Sequence, residues 1–206
     1  DEHGTDLTVR RRGIAEPFGG TIPETVIPEI VKIPGVAAVA GQLITFAATD
    51  NDDSVLAAGW TPGSFYWDNV PLKAGRVPGP DEHKVALVGY DIARALDKKV
   101  GDEITLLGEK FHIVGLTDYH SIINRNQVIV NLADLQELIV RTGAVTFLAI
   151  KLAHPTYKAE ADRVSEAIES LEKLTVSRSE GTLRGDSLVG LMTAVSTSMA
   201  WVALFR

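Results

Sequence analysis

Cysteine is missing from all 206 residues. That excludes disulfides, thiol nucleophiles and cysteine-ligated metals, and it suits a reducing and an oxidising compartment equally. Positive charge is scarce: 20 Lys and Arg stand against 27 Asp and Glu, for a net charge of −7. Nucleic-acid binding needs clustered cations to neutralise phosphates. The one cluster, Arg10-Arg11-Arg12, reads as the solvated end of a strand. There is no G-x-x-x-x-G-K-[ST], no G-x-G-x-x-G and no G-x-S-x-G. ATP hydrolysis is therefore not expected of this chain, and no cofactor is expected.

Aromatic residues are sparse at 6%, which makes their clustering informative. Two of the three tryptophans fall in residues 59–69, GWTPGSFYWDN, with Phe65 and Tyr66 between them. Trp60, Phe65, Tyr66 and Trp67 read either as a small core that anchors this region or as a contact surface for a partner or an amphipathic ligand.

Long uncharged runs are equally scarce, with one exception. Residues 187–205 carry no charge, although 23% of the chain is charged. As a helix they reach about 28 Å, close to the apolar thickness of a bilayer. Ser187 opens the run, and Leu188, Leu191, Met192, Val195, Met199 and Val202 recur at helical spacing on one face. Gly190, Thr193, Ser196, Thr197 and Ser198 dilute it, and small or hydroxylated residues suit helix–helix contact inside a membrane protein. The segment packs on its own domain or a partner, or it begins a membrane helix. The first residues, DEHGTDLTV, read as neither a signal peptide nor a membrane helix. In a membrane-bound parent, a span would precede Asp1.

The remaining pattern alternates strand and helix. Residues 5–14 read as a strand. Thr21 and Glu24 have capping-box spacing, and a helix carrying Val26, Ile27, Ile30, Val31 and Ile33 stops at Pro34-Gly35, with Pro28 delaying or bending it. Residues 36–49 form a long apolar strand. A second βαβ unit has a strand at 145–152, a helix opened by Pro155 with Tyr157, Ala161, Val164, Ile168 and Leu171 on one face, and a strand at 174–177. Two such halves predict an α+β, ferredoxin-like (porter-like) layer with two helices on one face. Its parts are 1–49 and 144–180. An inserted, mostly β subdomain of domain size spans 50–143, and 181–206 form a stalk and the start of a membrane helix. In the insertion, 85–89 and 127–130 read as strands and Ile92, Ala93 and Leu96 as a brief helix. Ile104, Leu106, Phe111 and Ile113 make a hairpin turning at Gly108-Glu109, and Asn131 caps a helix that ends at Gly143.

Candidate chemistry is thin. His3, His83, His112, His120 and His154 lack zinc spacing, and Asp118 with His120 would share a ligand only in an extended segment. Asp50, Asp52 and Asp53 read as a solvated tip, since the ordered calcium loop is absent. Gly185-Asp186-Ser187-Leu188 matches the nucleophile block of GDSL-type hydrolases, but it lies near the end of the chain with no histidine after it. No catalytic residue and no metal site is expected.

The order of several blocks carries more weight. KIPGV (32–36), LKAGRVPGPDEHKVALVGYDIARAL (72–96), VGDEITLLGEKFHIVGL (100–116) and NQVIVNLADLQEL (126–138) follow one another across most of residues 33–171. This arrangement resembles the periplasmic core domain of MacB-type, FtsX-like ABC transporter permeases. The resemblance implies an extracytoplasmic domain at the cell (inner) membrane, set between the first and second membrane helices, with the second starting at Ser187. It implies a separate nucleotide-binding ATPase domain or subunit, a second permease copy in a homodimer and, in Gram-negative exporters, a periplasmic adaptor protein. The expected function is to couple cytoplasmic ATP hydrolysis to export or release of a substrate by rigid-body motion. A free-standing periplasmic ligand-binding protein and a GDSL-like esterase are the alternatives.

Overall fold

The computed structural model describes residues 3–14, 18–49, 53–171 and 173–179. The membrane-helix start at Ser187, Leu188, Leu191, Met192, Val195, Met199 and Val202, the GDSL segment, and Asp50 and Asp52 lie outside the described residues. Among the described residues no helix is long and apolar enough to cross a membrane.

The first half of the fold begins with strand β1 (Leu7–Arg11) and a two-residue strand β2 (Ile22–Pro23). A 3-10 turn, Glu24–Val26, leads into the short helix α1 (Ile27–Val31). The capping box expected of Thr21 and Glu24 does not form. Pro23 is the N-cap and no side chain caps the turn. The Glu24 carboxylate instead accepts from Gln136 Nε2 at 2.8 Å, which is a better partner for a half-buried acid than its own turn. Pro28 delays the α-helix as expected, because it lacks the N–H that a helix interior needs.

Strand β3 (Val36–Ala48) is thirteen residues long. The chain then returns in β4 (Ser54–Trp60), where the sequence suggests only a turn followed by an aromatic loop. Strands β5 (Leu72–Gly75), β6 (Val85–Gly89), β7 (Glu103–Leu106), β8 (Glu109–Thr117) and β9 (Gln127–Asn131) follow. Helices α2 (Tyr90–Ala95), α3 (Ile122–Arg125) and α4 (Leu132–Leu138) are interleaved with them. The hairpin turns at Leu107-Gly108, one residue earlier than expected, with φ of 50° and 89°. Two positive φ values are what a two-residue turn needs to match strand twist. Asn131 caps α4 by accepting from the Ala133 N–H at 2.9 Å, as its sequence position predicts.

The expected strand over 145–152 is two strands, β10 (Ala144–Val145) and β11 (Phe147–Leu152), with β10 pairing β2. Helix α5 (Lys158–Ser170) starts three residues after Pro155, and β12 (Leu174–Arg178) closes the described chain.

Ten of the described strands form one mixed sheet in the order β12-β1-β11-β3-β4-β9-β6-β8-β5, with β7 also on β8, while β2 and β10 pair separately. Its first four strands are mutually antiparallel in the ferredoxin-like order. The pairs β4–β9 and β6–β8 are parallel. At the far edge β5 is four residues long, exposed throughout, and bulged between Leu72 and Ala74.

Alternation along the strands makes two cores. On one face Leu7, Val9, Leu148 and Ile150 pack against Ile30 of α1 and Ala161, Val164 and Ile168 of α5. Further along the same face, Ala57, Val128 and Val130 meet Leu132 and Leu135 of α4. Gly59 gives α4 its close approach: a Cβ there would lie 3.0 Å from Leu135 Cβ and 3.1 Å from Leu132 Cα. Gly59→Val is expected to overpack this contact at a cost of about 1–3 kcal/mol. Thermal unfolding should then show a Tm lower by roughly 3–10 °C.

Candidate functional site

Among the described residues no helix packs on the opposite face of the sheet, and there the aromatic residues collect. Ala40, Ala58, Ala149, Ile129 and Leu87 provide a floor of mostly small side chains. Trp60, the last residue of β4, points to this face and is fully buried. The chain then turns through Pro62 and Gly63 into a 3-10 turn, Phe65–Trp67, which lies back over the floor.

Trp60 stacks on Tyr66 with centroids 5.0 Å apart and meets Trp67 edge-on at 5.0 Å. Phe65 tilts against Tyr66 at 5.3 Å. Two further residues that the sequence reading did not place here complete the group. Tyr119, 2% exposed, packs in this core, and the His3 ring lies 5.0 Å from Tyr119, 5.2 Å from Trp60 and 5.7 Å from Tyr66. The available signal for Tyr119 was its alternation with buried Thr117 beyond the end of β8. Burial pushes the Tyr66 phenol well above its ordinary pKa, so it stays neutral. Lys151 lies over the outer ring, Phe65, at 4.7 Å.

Hydrogen bonds fix the lid. Trp67 Nε1 donates to Thr61 O at 3.0 Å. Thr61 Oγ1 accepts from Gly41 N at 3.0 Å and donates to Gly41 O at 3.1 Å, so the lid is tied to the middle of β3. Each aromatic pair adds about 0.5–1.5 kcal/mol beyond area burial. The outcome is division of labour among the four sequence-predicted residues. Trp60 and Tyr66 are interior, whereas Phe65 and Trp67 are half-buried.

Beside Trp67 lies a shallow pocket of about 150 Å³, walled by Pro62, Pro78 and Pro80, with Glu82 and Asn131 at its polar side. Its far wall is pinned by charge. Arg76 donates to Glu82 through two nitrogens at 2.6 and 2.7 Å, and Gly79 N donates at 2.6 Å. The Arg76 hydrogen bond, then the Gly79 N–H, hold the Glu82 carboxyl at about 2.

The remaining titratable groups do not converge on this region. His83 Nδ1 meets the buried Asp134 at 2.8 Å, His112 lies 3.7 Å from Glu103, and His154 lies 3.2 Å from Glu160. Asp118 is engaged by Lys73 at 3.1 Å, which with Arg125 lowers its pKa. Among the described residues no group of three or more His, Asp or Glu is placed to hold a metal ion. What the site offers is aromatic surface held rigidly over a sheet.

Residues 1–171 match the family described as the MacB-like periplasmic core domain. The chain belongs to that family. MacB-like folds are also found among solved structures. The periplasmic region of MacB from Actinobacillus actinomycetemcomitans superposes with a TM-score of 0.69 at 13% identity, over 86% of this chain and 90% of that one. The extracellular domain of the noncanonic ABC-type transporter YknZ from Gram-positive bacteria gives 0.65 at 13% identity, over 83% and 98%. A domain of a putative permease protein from Porphyromonas gingivalis gives 0.52 at 15% identity, over 87% and 91%. No curated protein sequence matches this one.

Trp60→Ala should cost about 3–5 kcal/mol in urea unfolding, as deletion of a buried large aromatic does, whereas Trp67→Phe should cost about 1 kcal/mol for its lost hydrogen bond. For Glu82, a ¹³C-detected titration should give a midpoint of about 2 in place of the ordinary 4.5, moving back up in Arg76→Ala. Because this folded pKa is depressed, the stabilisation from the pair is complete above pH 4.5 and is lost as pH falls toward 2.

Proposed function

We propose that this MacB-like domain is the extracytoplasmic part of an ABC transporter permease at the cell membrane, and that it passes on motion as one rigid body. Cytoplasmic ATP hydrolysis by a partner ATPase domain or subunit would move the membrane helices, and the domain would follow and drive export or release of cargo. The working form is a homodimer of permeases, joined in a Gram-negative envelope by a periplasmic adaptor. The division into 1–49 with 144–180, an inserted 50–143, and a stalk with a membrane-helix start at 181–206 belongs to the same proposal.

One observation carries the mechanical part: β3 serves both halves of the sheet. Residues 36–42 and 147–152 pair on one side, and residues 42–48 and 54–60 pair on the other. Around that overlap Thr61 grips Gly41, Thr146 Oγ1 accepts from Ile44 N at 3.1 Å, and Gln136 Nε2 bridges Glu24 and the Ala144 carbonyl. Each such hydrogen bond is worth about 1 kcal/mol, and together they oppose bending where the two halves meet. Phe65 and Trp67 are the proposed contact residues for a partner.

Spin labels at exposed Lys110 and Glu166 of the intact transporter test the rigid-body reading. The distance between them within one copy should be unchanged between nucleotide-free and ATP-bound states, while distances between copies shift. A changed distance within one copy would overturn it. Phe65→Ala and Trp67→Ala together should weaken partner binding or transport with the fold intact, and unchanged transport and binding would remove the contact role.

A further inference from the structure

The arginine run resolves into three different environments. Arg12 Nη2 reaches the Glu169 carbonyl at 3.2 Å at the outer end of the strand. Arg11 sits opposite Leu174. Arg10 is half-buried on the face opposite α1 and α5, and among the described residues its Nε is buried without a hydrogen-bond partner.

Register defines what surrounds it. Arg10 lies opposite Thr175 of β12 and, one step beyond the Val9–Leu148 pair, beside Phe147 of β11. Its guanidinium carbon is 5.0 Å from the Phe147 centroid. Phe18 packs edge-on against Phe147 at 6.1 Å and against Phe46 at 6.2 Å. Phe46 is 43% exposed and Ile14 is 46% exposed. The result is a cation set at the edge of an apolar, open patch.

Four other arginines have carboxylates: Arg76 has Glu82, Arg125 has Asp91, Arg163 has Glu160 and Arg178 has Asp162. Among the described residues no carboxylate pairs with Arg10. Glu169, which meets the Thr175 opposite Arg10, spends one oxygen on Val176 N at 2.9 Å and Thr175 Oγ1 at 3.3 Å. Burial works against the Arg10 charge and lowers its pKa from the ordinary value. A half-buried guanidinium is normally matched by an anion, because a planar donor fork without one loses hydration and regains little.

We propose that Arg10, Phe18, Phe46 and Phe147 form a binding site for a carboxylate carried on an apolar stem. The guanidinium takes the carboxylate through its two terminal nitrogens, the Nε being buried behind them. The Phe46 and Phe18 rings take the stem. A free alkyl carboxylate and the C-terminal carboxylate of an apolar peptide share this chemistry.

Titration of the full chain with hexanoate, acetate, hexanamide and N-acetyl-leucinate, followed by amide and Arg10 side-chain NMR signals, tests it. Hexanoate should shift β1, β11 and Arg10 Nε–H signals saturably and bind at least about tenfold more tightly than acetate, since each buried methylene adds severalfold. Hexanamide, lacking the charge, should give no saturable shift. N-acetyl-leucinate should compete with hexanoate, and the tighter of the two identifies the source of the natural ligand. Arg10→Met should abolish the hexanoate shifts. Arg10→Lys, which keeps the charge and the fold but not the fork, should weaken them at least about tenfold. Phe46→Ala removes an exposed ring and should bring hexanoate down toward acetate. No saturable shift with hexanoate, or native affinity in both Arg10 variants, would overturn the proposal.

Discussion

Gln42 sits where two sheets become one. On one side of β3 its register partner is Phe147, and on the other it is Trp60. Before it the strand pairs with β11, and beyond it with β4, so the two sets of pairings overlap only there. A diagonal junction of this kind leaves stretches of β3 with an open side. Threonine side chains fill the gap: Thr61 satisfies Gly41, and Thr146 satisfies Ile44. Without those hydroxyls, buried backbone groups at the junction would go unpaired, at about 1–3 kcal/mol each. The positions of α1, α4 and α5 on one face and of the aromatic lid on the other follow from the way β3 is held.

The junction also explains why the two faces of the sheet differ. The face covered by α1, α4 and α5 is closed by aliphatic packing of whole helices. Among the described residues the other face is covered locally, by a three-residue aromatic turn over Ala40, Ala58 and Ala149 and by Phe18 over Phe147. Small floor residues let the rings approach the backbone, and large rings then supply the area that a helix would have supplied. Arg10 lies at the margin of the second cover, on β1 beside Phe147.

Much of this was legible in the sequence. The spacing of Val26 to Ile33 and of Ala161 to Ile168, and the apolar runs beside them, were enough for two βαβ halves, because burial on one face imposes a strict period. Asn131 announced its helix through local chemistry. What stayed hidden depended on distant partners. Strand β4 was masked because Ala57, Ala58 and Gly59 are small and carry no strand signature of their own; they are in a strand because β3 and β9 lie on either side. Glu24 looked like a capping residue until Gln136, 112 positions away, claimed its carboxylate. The aromatic segment was recognisable as a cluster, but its split into interior Trp60 and Tyr66 and half-buried Phe65 and Trp67 depends on which face β4 turns inward. His3 and Tyr119 joined the cluster from segments far away in sequence.

The short, bulged β5 has a consequence for how copies of this domain meet one another. A sheet edge with free N–H and C=O groups is a template on which another strand can add. At β5 that template is broken: the register slips between Leu72 and Ala74, and Lys73 extends to Asp118 and over the Tyr90 ring. The opposite edge, β12, runs in unbroken register for five residues along β1. Crowded side by side on a surface, copies of this domain would gain no continuous template from β5, whose broken register blunts edge-to-edge addition there.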